Sequence, residues 1–117
     1  MSVLPNAEKA IIPIEKLSEY ALHPVKSRGK HIVFERALGY NLSNAELLRE
    51  NLKTNIKSFE ANPTEDNGYG QKYEVVVSLK GENGNTAEVF TCWIVEHGTE
   101  EPRLVTAYVM KRGYHND

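Results

Sequence analysis

The spacing of apolar residues changes once along the chain, and that change restricts the fold more than any other feature. Ala45, Leu48, Leu52, Ile56 and Phe59 fall three and four apart, the spacing of one helix face. From Lys72 to Leu79 alternation by two replaces it, with Tyr73, Val75, Val77 and Leu79 on one face of a strand. Ala87 to Val95 is a second strand, with Phe90, Cys92 and Ile94 opposite Val89, Thr91, Trp93 and Val95. Leu104 to Met110 is a third, with Leu104, Thr106 and Tyr108 opposite Val105, Ala107 and Val109. Gly81-Glu82-Asn83-Gly84-Asn85 and Gly98-Thr99-Glu100-Glu101-Pro102 are the turns between them. Short turns make antiparallel neighbours. The order predicts an α+β fold: three N-terminal helices packed on a three- or four-stranded antiparallel meander sheet.

The first half supplies the helix boundaries. Pro13 suits a first helical position, and Ile14, Leu17 and Ala21 recur at helical spacing. Pro24 disfavours helical geometry at His23, so this helix ends near Leu22. A second helix is expected from near Lys30, with Ile32, Val33, Phe34, Ala37 and Leu38 as its apolar face and Gly39 as its stop. Ser43 to Glu46 reads as a capping box opening the third. Ala10-Ile11-Ile12 suits an edge strand or a segment tucked under the sheet. Asn62 to Gly70 reads as loop, and residues 1–9 and 111–117 are expected to fray.

At 117 residues the chain is expected to be one domain, 1–117, able to bury a core without staples. A net charge of −2 gives no global pull toward nucleic acid or anionic membrane. Cys92 is the only cysteine, so no disulfide within the chain is possible and a cytoplasmic compartment is expected. No apolar run approaches the length of a membrane span, and no membrane association is expected.

Against that acidic balance, His23-Pro24-Val25-Lys26-Ser27-Arg28-Gly29-Lys30-His31 holds basic and titratable side chains and no acid. It leads into the predicted second helix, where unpaired amides and the helix dipole favour an anion. Charge runs are ordinarily solvated surface, and that is the plain alternative. No phosphate loop, dinucleotide fingerprint or cysteine pair is present, and His23 and His31 are not spaced for one metal. No metal or cofactor is expected.

A metal-free ribonuclease needs few groups. One removes the ribose 2′-OH proton, one protonates the leaving 5′-oxygen, and cations steady the phosphorane. His23 suits either proton transfer, Lys30 and Arg28 suit charge stabilisation, and Thr106 suits phosphate orientation. Given ordinary register, Thr91 and Trp93 join Thr106 and Tyr108 in one cross-strand patch that stacks a base and holds phosphate. Strand filler is the competing reading for the threonines, and core packing for Trp93.

The chain also carries an ordered set of short pieces. They are Leu4-Pro5-Asn6-Ala7, Ile12-Pro13, Lys16-Leu17, Tyr20, His23-Pro24, Gly29-Lys30, Phe34, Ala37-Leu38-Gly39, Tyr69-Gly70, Thr91-x-Trp93-Ile94 and Leu104-Val105-Thr106. In that order they resemble a small bacterial domain of unassigned function. It is found alone and at the C-terminal tips of haemagglutinin-like and contact-dependent inhibition toxins. Many such tips resemble the RelE, barnase and EndoU ribonucleases. The resemblance implies a metal-independent toxin that cuts RNA, with His23, Lys30, Thr91, Trp93 and Thr106 as its site. It implies RNA and a small antitoxin or immunity protein as partners. His31 departs from the pattern, which has a small residue there. The alternative is a non-catalytic module that binds RNA or protein.

Overall fold

The computed structural model describes residues 2–110. Three α-helices come first: α1 (Ile14–Lys16), α2 (Lys30–Leu38) and α3 (Ala45–Asn55). Four strands follow: β1 (Ala61–Asp66), β2 (Gly70–Lys80), β3 (Thr86–Glu96) and β4 (Arg103–Val109). They form one antiparallel sheet in the order β1-β2-β3-β4. The architecture is α+β.

Each helix follows from its local residues. α1 continues as a π-type turn over Leu17–Ala21, closed by the Leu22 N–H donating to Leu17 O at 2.8 Å. α2 ends at Gly39, whose φ of 77° sends the Gly39 and Tyr40 N–H groups back to the Glu35 and Phe34 carbonyls. Of its expected apolar face, Phe34 and Leu38 are buried, Val33 and Ala37 pack against the core, and Ile32 is exposed. The expected capping box at Ser43 and Glu46 lies instead at Asn41 and Asn44. The Ser43 N–H donates to Asn41 Oδ1 at 2.8 Å, and the Asn41 N–H donates to Asn44 Oδ1 at 2.8 Å. Leu42–Asn44 is a 3-10 turn, so the chain begins to coil earlier than the box predicts. The α3 stripe is as expected, with Ala45, Leu48, Leu52 and Ile56 buried.

Two segments are more ordered than expected. Ala61–Asp66 is a strand rather than a loop, because Ala61, Asn62 and Pro63 pair with Val75, Glu74 and Tyr73. Pro63 is tolerated because β1 is an edge strand. The N-terminal arm is built in: Leu4, Ala7, Ala10 and Ile12 are buried, and Val3 bridges Glu60. Ile11 makes one parallel bridge to Arg103. The expected fraying of 111–117 falls outside the described residues.

One sheet face carries the core. Val75, Val77 and Leu79 of β2 are buried there with Val89, Thr91 and Trp93 of β3. Leu104, Ala107 and Val109 join them from β4. That last set crosses the expected alternation. Cys92 pairs with Thr106 but Trp93 pairs with Leu104, so Val105 is an extra residue, a β-bulge. The bulge turns Leu104 inward with Trp93 and leaves Thr106 and Tyr108 on the opposite, open face.

The β2–β3 turn docks on the end of α2. The Asn83 N–H donates to Leu38 O, and Asn83 Nδ2 donates to Ala37 O at 3.3 Å. These bonds satisfy carbonyls that a helix end leaves open. The approach requires glycine at 81, where a Cβ would stand 2.1 Å from Leu38 O.

Candidate RNA-binding surface

The basic segment folds as a sequence of tight turns. His23 Nδ1 accepts from the Val25 and Lys26 N–H groups, each at 3.1 Å. An imidazole nitrogen used as an acceptor carries no proton, which puts the ring proton on Nε2. Ser27 is buried; its Oγ accepts from the His31 N–H at 3.0 Å and lies 2.9 Å from His31 Nδ1. Arg28 (φ 56°) and Gly29 (φ 90°) then both adopt the left-handed region. Glycine does so freely, and Arg28 carries the strain, about 1–2 kcal/mol. This reversal lets α2 start at Lys30 beside β4.

At that start Lys30 reaches the sheet. Its Nζ lies 4.6 Å from the Tyr108 ring centroid. Tyr108 stacks on Phe90, with centroids 4.9 Å apart and an interplanar angle of 28°. Phe90 is also the register partner of Val76, so Val76, Phe90 and Tyr108 form one row across the open face. A pocket of about 410 Å³ is lined by Arg28, Gly29, Lys30, Val33, Tyr108 and Val109. Among the described residues no carboxylate lines it, and neither Arg28 nor Lys30 has an ion-pair partner.

The fold thus brings Arg28, Lys30 and Tyr108 together. Thr106 is exposed on the same face as Tyr108, one row away and paired with Cys92. Thr91 and Trp93 are not part of this surface. Both have 0 % exposure and sit in the core, where Trp93 Nε1 donates to Thr91 Oγ1 at 2.8 Å. Thr91 Oγ1 in turn donates to Val75 O at 2.7 Å. The expected patch of Thr91, Trp93, Thr106 and Tyr108 is therefore split between opposite faces of the sheet. The reason is the register: Thr91 pairs with Ala107, not with Thr106. His23 is half-buried and committed to its turn through Nδ1.

The chain matches, over residues 3–111, a family described as a domain of unknown function, DUF6883. It belongs to that family. No curated protein and no solved structure matches the chain.

In this DUF6883 domain the aromatic missed from the sequence is Phe90. It shares a face with Cys92 and Ile94, and the burial of Val89, Thr91 and Trp93 leaves that face outside the core. The signal lay in the alternation, but alternation does not say which face is covered. Cys92 is half-buried on the open face, and burial pushes its thiol pKa up, which opposes nucleophilic use. A larger hollow, about 540 Å³, lies near the end of α2 and is lined by Arg36, Ser78, Thr86, Glu88 and Met110 among others. It contains none of the site residues expected from the sequence. Among the described residues no cluster of three or more His, Cys, Asp or Glu is placed to hold a metal. None of the described helices is long and apolar enough to cross a membrane.

Proposed function

We propose that this chain is a non-catalytic module that binds single-stranded RNA where α2 meets the open face of the sheet. One observation carries the reading: the Lys30 ammonium lies over Tyr108 in a pocket shared with Arg28, with no carboxylate among the described residues that line it. A cation beside a partly exposed aromatic ring is a pairing that single-stranded nucleic acid uses. Phosphate goes to the cation and the base to the ring. Phe90 extends the stacking surface, and the Thr106 hydroxyl is one row away, suited to a ribose 2′-OH.

A metal-independent ribonuclease toxin acting through His23, Lys30 and Thr106, and neutralised by an antitoxin or immunity protein, has less support. His23 Nδ1 serves the turn, and Thr106 is not among the residues lining the pocket with Lys30.

Fluorescence anisotropy with a labelled uridine oligonucleotide tests the proposal, with the RNA recovered and run on a gel. Two phosphate contacts predict a slope of log affinity against log salt of about −1.4. Arg28→Ala and Lys30→Ala should each weaken binding and flatten that slope. Absence of binding at low salt, or binding indifferent to both substitutions, refutes the module. Shortened RNA transfers the case to the ribonuclease.

A further inference from the structure

We infer that the RNA path has a second base-stacking position at Tyr20, reached from the first across the turn at residues 26–30. This rests on the RNA-binding reading above. Tyr20 is 54 % exposed, although large aromatic rings are usually covered. Its neighbours Leu17 and Ala21 are buried and hold the π-type turn that presents it. Two ammonium groups lie over its ring: Lys16 Nζ at 5.5 Å from the centroid and Lys26 Nζ at 5.9 Å. Lys26 also pairs with Glu19 at 3.2 Å, which positions it and neutralises part of its charge. Lys16 has no ion-pair partner among the described residues.

The arrangement repeats that at Tyr108: an aromatic face with a lysine over it. The turn carrying Tyr20 packs against β4, the strand of Tyr108. The two units are also joined by one short segment, because Lys26 lies in the turn that leads into α2 and Lys30 is the first residue of α2. Even a fully extended chain puts their Cα atoms within about 14 Å. The hydrogen bonds from the Ser27 and Lys30 N–H groups to the His23 and Ser27 carbonyls make the real path shorter. A stacked strand advances about 3.4 Å per nucleotide, so the two lysines stand at most about four nucleotide steps apart. A dinucleotide engages one unit and a hexanucleotide engages both.

Anisotropy titration of the full chain with labelled diuridylate and hexauridylate tests this, using Tyr20→Ala, Tyr20→Phe and Tyr108→Ala. Tyr20→Ala should weaken hexamer binding about fivefold or more and leave dimer binding unchanged. Tyr20→Phe, which keeps the ring, should bind as the native chain does. If Tyr20→Ala leaves the hexamer unaffected while Tyr108→Ala weakens it, the second position is wrong and the RNA-binding reading stands. Equal loss for dimer and hexamer in Tyr20→Ala also overturns the second position. A native chain that binds neither oligonucleotide overturns both.

Discussion

Replacing Thr91 with Val keeps the side-chain shape and removes only the hydroxyl, in a place where no solvent can substitute for it. Thr91 Oγ1 makes two hydrogen bonds inside the core, donating to Val75 O at 2.7 Å and accepting from Trp93 Nε1 at 2.8 Å. Both residues have 0 % exposure, so the indole N–H is left buried without a partner. That orphaned donor costs about 1–3 kcal/mol, and the lost bond to Val75 adds about 1 kcal/mol. The expected destabilisation is about 2–4 kcal/mol, a large share of the ~5–15 kcal/mol that holds a domain folded. Thr91→Ser keeps both bonds and loses one methyl, which costs about 1 kcal/mol. Trp93→Phe removes the stranded donor. Adding Thr91→Val to it should therefore cost less than in the native background, with a coupling of about 1 kcal/mol or more. Urea unfolding followed by far-UV circular dichroism measures all four variants, since Trp93 is the only tryptophan and fluorescence would be lost with it. Thr91→Val as stable as Thr91→Ser, or a coupling near zero, would show that the pair is not the closed polar link described.

Three further outcomes follow from other contacts. Gly81→Ala should cost about 2 kcal/mol or more in urea unfolding, because its Cβ would meet Leu38 O at 2.1 Å. Gly84→Ala, with φ 86° and open space around it, should cost only its backbone strain, about 1–2 kcal/mol; the reverse order would argue against the docked turn. Ser27→Ala removes the hydroxyl that accepts from the His31 N–H and should lower stability by about 1–2 kcal/mol, whereas Ser27→Thr, keeping the hydroxyl, should retain more of it. The Asp66 carboxyl is held below its ordinary pKa of 3.8 first by the Gly68 N–H and then by His97. A depressed folded value means stability that is full above the unfolded value and lost as pH falls through the folded one. Melting temperature against pH should therefore fall more steeply for the native chain than for Asp66→Asn below pH 3.8, and parallel curves would count against the clasp.

The helices were legible because helical spacing is a local property. The stripe Ala45, Leu48, Leu52 and Ile56 needs no partner to be recognised, and Gly39 marks a stop wherever the helix later packs. The Asn41–Asn44 box cannot be told apart in the sequence, because Ser43 and Glu46 also fit a capping pattern. β1 was hidden because Asn62-Pro63-Thr64-Glu65-Asp66 has the composition of a turn; its order comes from pairing with β2. The candidate site was legible in part. The basic segment stands out against an acidic chain, and Tyr108 stands out as an aromatic in the last strand. Phe90 and Trp93 stand on opposite faces of β3, and a strand's two faces look alike until one is covered.

The sequence by itself determined the elements: where the chain coils, where it alternates, and where it must turn, because these depend on neighbours a few residues apart. Only the tertiary structure decided which side of each strand faces the helices. The extra residue at Val105 shifts one strand against the next, so Leu104 turns in while Thr106 and Tyr108 turn out. Pairing across strands is a long-range choice, settled by the apolar area it buries, and a one-residue slip exchanges core for surface.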